Sequence, residues 1–382
     1  MKEVKYRFSP NISPKTIKVI KAIDAGLNLL YKSRAKKVDV KEITVTQFAH
    51  IGDLLLTLPG LKRLKATSNL KVKLVVNSQN YAIAKRLNYI DEVYVADAPW
   101  FARGPQKSYW NFIKQLRKIK SDVIFDIRGD LRNNVFLKFF TRKKALVGYG
   151  VGGGGALLNE EFDFVYQGHA SEFTTPIFKY LGLPESTNAA HWHEDDVPFD
   201  PLPDDNLPLN FVAVHLGAGA QSRRWTIPNF IQVIKGIALS TPVCVMGVAQ
   251  DASPEELEII SSIPNVINLV GKYSLLQSIS VVKRSTAFVG LESGFSHITG
   301  MLKKKAFVLF SGTSDINVWK PCSFYENQIT LLQKRVPCDM GTGCGKFFCD
   351  DNICLKNIQP AEVIDLVNDY LRELRSESLI AS

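Results

Sequence analysis

Residues 42–77 read EITVTQFAHIGDLLLTLPGLKRLKATSNLKVKLVVN. A run rich in β-branched residues, 42–49, gives way after Ile51-Gly52-Asp53 to leucines at helical spacing, and a second β-rich run begins at Lys71. The pattern predicts strand, helix, strand. It repeats outward: a helix over 79–88, a strand over 92–97, a helix over 109–120 and a strand over 122–129. Short β-rich runs alternating with helices predict an α/β fold with a parallel, doubly wound sheet.

The rhythm stops at a loop rich in Pro and Asp, DDVPFDPLPDDNLP (195–208), and then restarts. Strands are expected at 211–219, 242–248, 266–271, 287–293 and 306–312, with helices at 227–239, 252–263 and 275–285 between them. A chain of 382 residues is too long for one ordinary core. The reading is two Rossmann-like domains, 41–200 and 208–382, facing across a cleft at the carboxyl ends of their sheets, where such sheets bind ligands. Residues 1–40 form a basic extension. Within it, residues 15–37 place Ile17, Ile20, Ile23, Leu27, Leu30 and Tyr31 at helical spacing among lysines. This amphipathic helix either lies on an anionic bilayer or packs on the domain with its lysines in water.

Charge divides the chain. Residues 1–145 hold 30 Lys+Arg against 11 Asp+Glu, a net +19, whereas residues 146–382 hold 17 against 26, a net −9. A basic half attracts an anionic partner such as phosphorylated glycolipid, membrane surface or nucleic acid. No apolar run reaches about 18 residues, and the N-terminus has no apolar stretch before a small-residue cleavage site, so the chain reads as cytoplasmic. Cys338, Cys344, Cys349 and Cys354 cluster as C-x5-C-x4-C-x4-C, which is no pair of C-x2-C knuckles. Reduced thiols holding a loop compete there with a metal or redox-sensitive site.

Several strand ends carry chemistry. HLGAGAQSRRW (215–225) combines Gly217, Ser222, Arg223 and Arg224 ahead of a helix. Glycines admit close backbone approach, a helix N-terminus suits phosphate, and arginines grip a diphosphate bidentately. GLESGFSHITG (290–300) offers Glu292, Ser293, Gly294 and His297 at a second strand-to-helix turn. Together the two loops point to a nucleotide-diphosphate site; taken singly, each also fits a plain turn. In the basic half, FDIRGDLRNN sets Asp126, Arg128, Asp130 and Arg132 at a strand end, where arginines bracketing aspartates fit a polar acceptor site better than a metal. Asp53 follows the first strand, with Gly52 allowing the chain to turn there. Its position fits a helix cap and a general base equally. HEDD (193–196) looks metal-like but falls in the linker, and GYGVGGGG (148–155) reads as a flexible loop.

These segments resemble the heptosyltransferases of glycosyltransferase family 9, which have the GT-B fold. IGDLLLTLPGLKRLK resembles the family's first loop and helix, FDIRGDLRNN its acceptor-domain strand end, and HLGAGAQSRRWTIPNF its donor phosphate loop. FVGLESGFSHITGMLKKKAFVLFSGTSD resembles the donor-sugar segment, and CGKFFCDDNICLKNIQPAEVIDLV the family's cysteine-containing tail. The motifs stand in order from about residue 41 to the end. The resemblance implies inverting transfer of a heptose from ADP-L-glycero-D-manno-heptose to the lipopolysaccharide inner core, with no cofactor and no metal. It assigns Asp53 the role of base, Arg223 the leaving diphosphate, and Ser293, Gly294 and His297 the donor. It also implies contact with the anionic inner-membrane surface and no nucleic-acid partner. Glu292 stands where the family usually has aspartate, and LFSGTSD departs from the family's Gly-Pro-Thr-Asp run, so Thr313 and Asp315 match that run only weakly. Another nucleotide sugar or acceptor is therefore a second reading, and a non-catalytic basic adaptor a third.

Overall fold

The protein is described from a computed structural model covering residues 6, 8, 12–31, 38–101, 108–164, 168–184, 186–203, 206–338 and 343–380; for 189, 190 and 378–380 only the backbone is described. The chain separates into two compact units, residues 1–196 and 197–382.

The first unit is a six-stranded parallel sheet built from β1 (Glu42–Gln47), β2 (Lys71–Val76), β3 (Glu92–Val95), β4 (Lys120–Asp126), β5 (Arg142–Tyr149) and β6 (Glu160–Phe162), in the order β3-β2-β1-β4-β5-β6. The second repeats this order with β7 (Val212–His215), β8 (Val243–Met246), β9 (Val266–Asn268), β10 (Ala287–Leu291), β11 (Lys305–Leu309) and β12 (Ile329–Leu332), as β12-β11-β10-β7-β8-β9. Helices cover the sheets, so the central strands β7, β8 and β10 are buried along their whole length and read as continuous apolar runs. Phe112, Leu116, Ile124, Leu137 and Leu146 fill one core, and Phe230, Ile234, Val289, Val363 and Val367 the other. In each unit the strand order reverses once, between β1 and β4 and between β7 and β10. Loops leaving those strands diverge and leave a crevice at the carboxyl edge.

Three strands are absent from the sequence reading. β5 opens on Arg142-Lys143-Lys144, which hides the buried Ala145–Tyr149 behind it. β6 and β12 are edge strands of three and four residues, too short to show a period.

The glycine tract is not a flexible loop. Gly152 N–H donates to the Gly129 carbonyl at 2.8 Å, and Asn134 Nδ2 donates to the carbonyls of Tyr149 (3.1 Å) and Gly153 (3.2 Å). A Cβ on Gly152 would lie 2.6 Å from the Gly129 carbonyl oxygen, so the glycine there serves close packing of two backbones. The extension docks on this tract. Its helix spans Pro14–Leu30, capped by Ser13, and Asp24 Oδ1 accepts from Gly154 N–H at 2.6 Å while Oδ2 accepts from Tyr6 Oη at 2.6 Å. The remainder of the expected helix, residues 32–37, lies outside the described residues.

These contacts predict opposite outcomes for two glycines of the first unit. Gly152→Ala drives a methyl into backbone that cannot yield and lowers stability by about 1–3 kcal/mol. Gly26→Ala, in the Pro14–Leu30 helix with nothing within 4 Å of a new Cβ, raises it by about 0.5–1 kcal/mol. Thermal melts of the two variants check both signs.

Candidate functional site

In the first unit the site forms where β1 and β4 part. The helix Ile51–Thr67 starts directly after β1, and Asp53 is its third residue. Asp53 Oδ2 accepts from the His50 backbone N–H at 3.2 Å, closing the helix start, while Oδ1 accepts from Arg128 Nη1 at 2.5 Å. Asp53 is thus cap and ion-pair partner at once, and each carboxylate oxygen keeps a further lone pair. Gln47 holds the turn by donating to Thr57 Oγ1 at 3.0 Å, and Asn77 Nδ2 at the end of β2 donates to the Ala49 carbonyl at 2.7 Å. Gly52 lies in the first helical turn and has no positive φ, so it does not make the turn expected of it.

The strand-end residues after β4 divide into two kinds. Asp126 is fully buried, and its oxygens accept from Thr46 Oγ1 (2.8 Å), Asn133 Nδ2 (3.0 Å) and Gly129 N–H (2.8 Å). Burial pushes its pKa up to about 6 against those three bonds. This corrects its reading as an acceptor ligand: it ties β1 to the β4 turn. Asp130 caps the helix Leu131–Phe140 and holds Arg132 bidentately, at 2.9 and 2.7 Å. Arg128 and Arg132 lie over the rings of Phe101 and Trp100, at 5.6 and 5.1 Å. The sequence reading missed these two aromatics, although DAPWFARG follows a strand end.

In the second unit three loops converge, from the ends of β7, β10 and β11. Arg223, in the short 3-10 turn Gln221–Arg223, pairs with Glu292 Oε1 at 3.2 Å and donates to Ser314 Oγ at 2.7 Å. Glu292 is buried, and its Oε2 accepts from Ser311 Oγ at 3.1 Å. Burial raises its pKa, and Arg223 opposes the shift. Buried Ser222 accepts from Thr313 Oγ1 at 3.2 Å. Ser293 caps the helix Gly294–Met301, whose first turn presents Gly294 and holds buried His297. His215 stacks on Phe295 at 4.5 Å, and burial lowers its pKa to about 4, so it is neutral at pH 7. Ser293 Oγ and Arg223 Nε are buried without a hydrogen-bond partner, which marks polar groups that a bound ligand would satisfy.

Gly217 is buried, and Arg224 is exposed at the rim. A Cβ on Gly217 would strike Asp251 Oδ2 at 2.3 Å, so this glycine makes room for Asp251, to which Arg224 reaches at 3.8 Å. The cysteine-containing tail closes over the same loops. Cys344 N–H donates to the Gly312 carbonyl (2.8 Å), Asn352 Nδ2 to the Arg224 carbonyl (2.7 Å), and Phe347 covers Arg223 at 5.2 Å. No cysteine is disulfide-bonded, and no group of three or more His, Cys, Asp or Glu side chains gathers as for a metal among the described residues. HEDD is structural: Asp196 pairs with Lys62 and accepts from His193 N–H at 2.7 Å. A cavity of about 2250 Å³ in the first unit, lined by Asp39, Lys41, Asn69, Phe164 and Lys179, lies at the amino ends of β1 and β2, away from Asp53.

Two stability measurements test these networks. Arg223→Ala strands Glu292 and costs the second unit about 2–4 kcal/mol, while adding Glu292→Gln recovers most of the loss; denaturant unfolding of the cycle reads both. Asp126 has a folded pKa above its unfolded value. Its contribution is therefore fully present below pH about 4 and lost as pH rises through about 6. The stability gap between the native chain and Asp126→Asn widens across that window as pH falls, by up to about 3 kcal/mol.

No curated protein sequence matches the chain. Among solved structures, a glycosyl transferase family 9 protein from Veillonella parvula matches with a TM-score of 0.68 at 17% identity, over 89% of this chain and 99% of that one. E. coli heptosyltransferase WaaC with ADP-2-deoxy-2-fluoro heptose matches at 0.61 and 17%, over 86% and 99%. E. coli ADP-heptose lps heptosyltransferase II matches at 0.62 and 16%, over 87% and 99%. These likenesses establish the fold as GT-B. The model of glycosyltransferase family 9 (heptosyltransferase) matches residues 109–342, more than half of the chain. The chain, a glycosyltransferase, belongs to that family.

Proposed function

We propose that the protein moves a heptose from ADP-L-glycero-D-manno-heptose to a sugar of the lipopolysaccharide inner core, with inversion and without a metal, on the cytoplasmic side of the inner membrane. One observation carries the reading: a carboxylate, Asp53, is fixed at the strand-order reversal of the basic unit by Arg128 and the His50 N–H. In this reading an acceptor hydroxyl donates to Asp53. Its proton passes to the carboxylate as its oxygen bonds to the anomeric carbon, and the bond from that carbon to the diphosphate oxygen breaks. Negative charge grows on the departing ADP, and Arg223 meets it with its guanidinium while Arg224 adds a second cation at the rim. Ser293, Gly294 and His297 hold the donor. Arg128, Arg132, Trp100 and Phe101 supply cation and ring to a phosphorylated sugar acceptor.

Two E. coli neighbours, one solved with ADP-2-deoxy-2-fluoro heptose and one an ADP-heptose lps heptosyltransferase, support this donor. Glu292 favours a second reading, another nucleotide sugar, because its carboxylate turns inward to Arg223 and Ser311 rather than being free for sugar hydroxyls. A thermal-shift panel of nucleotide sugars separates the two: ADP-heptose stabilises the chain most under the first reading, another donor under the second.

Asp53→Ala is expected to lower turnover with ADP-heptose and core-truncated lipopolysaccharide by about 10²–10⁴-fold while ADP binding holds. Unchanged turnover removes Asp53 from the chemistry.

A further inference from the structure

The Pro14–Leu30 helix turns its apolar residues two ways. Ile17, Ile20 and Leu27 are half-buried toward the glycine tract, on the side of buried Asp24. Val19, Ile23 and Leu30, spaced i, i+4 and i+11, form a separate stripe that is 57%, 48% and 79% exposed, with Leu29 beside it at 86%. Tyr31 packs edge-on against Phe139 at 6.3 Å, and Phe139 is itself half exposed, so the stripe continues onto the end of the helix Leu131–Phe140. Exposed Lys15 and Lys18 border it on the helix, while Lys21 turns away and lies over the Tyr6 ring at 5.2 Å; Lys138 and Arg142 neighbour Phe139 in the chain. Sequence patterning alone puts Ile23 and Leu30 on the same face as Ile17 and Ile20; the helix instead is rotated so that Asp24 is the inward anchor.

We propose that this outward face, Val19, Ile23, Leu29, Leu30 and Phe139 with its flanking lysines, docks on an anionic lipid bilayer. It extends the reading of a membrane-held acceptor by naming the surface involved. A helix with an aliphatic stripe and lysines along its edge lies in the interface plane, with its apolar side chains among the acyl chains and its ammonium groups at the phosphates. Single-stranded nucleic acid would call for aromatic platforms among the charges, and the stripe on this helix is aliphatic. The first unit's charge matches the partner: its first 145 residues carry +19. Asp24 links the docked helix to the acceptor side, because its oxygen accepts from Gly154, in the tract that packs on the Gly129–Asp130 turn.

Sedimentation of the full chain with vesicles of phosphatidylcholine, with and without phosphatidylglycerol, tests the proposal without any turnover. The native chain is expected to pellet with anionic vesicles and to stay in solution with neutral ones. Lys15→Ala/Lys18→Ala should weaken binding roughly thirtyfold, at about fivefold for each lysine. Ile23→Ser/Leu30→Ser should weaken it by a similar factor, with melting temperature and ADP-induced stabilisation unchanged because both residues are exposed. Equal binding of the variants, equal binding to neutral vesicles, binding of RNA but not of vesicles, or a dimer that Ile23→Ser/Leu30→Ser dissolves would each overturn it. A native chain that fails to bind anionic vesicles yet is stabilised by ADP tells against this surface alone, whereas a native chain that ADP does not stabilise tells against the functional reading.

Discussion

The ion pair between Asp53 and Arg128 bridges the two strands at which the first sheet reverses its order. Neither residue could hold that position alone: Asp53 would be only a helix cap, and Arg128 a surface cation. Beneath the pair, buried Asp126 bonds Thr46 of β1 and Gly129 of the β4 turn, so the two loops are fixed as one piece. A buried carboxylate is costly, and its three donors are what make it tolerable. The second unit uses the same device at its own reversal, with Arg223 leaving β7 and Glu292 leaving β10. In both, an arginine and a carboxylate are held together at a strand-order reversal.

How much of this the sequence shows depends on range. Strand and helix alternation is a local signal, and it correctly placed nine strands, the repeat of the fold and the loops at their ends. Edge strands of three or four residues left no period to read. Glycines misled, because a sequence does not say whether a glycine bends or makes room: the 148–155 tract is packed backbone, Gly217 yields space to Asp251, and Gly52 is plain helix. The candidate residues were legible as types at strand ends. Their partners were not, since Asp53 with Arg128 and Arg223 with Glu292 lie 75 and 69 positions apart in the chain. Asp126 was misread for that reason: only the fold reveals that it is fully buried and tied to Thr46, Gly129 and Asn133.

Two appended segments brace these loops. The N-terminal helix latches the glycine tract through Asp24, and the cysteine-containing tail closes over Arg223 with Phe347 and over the β11 loop with Cys344. Glu292 fits the same pattern. Its carboxylate reaches both Arg223 and Ser311, so a residue that resembles a sugar ligand in sequence holds the Arg223 guanidinium in place here.

The central claim is direct displacement at the anomeric carbon, with Asp53 taking the acceptor proton. The anomeric configuration of the transferred sugar, read by NMR from the carbon–proton coupling of the new linkage and compared with that of the nucleotide-sugar donor, tests it most directly. Displacement with Asp53 as base gives inversion. A product with the donor's configuration would require a covalent intermediate or a same-face mechanism, and would contradict it.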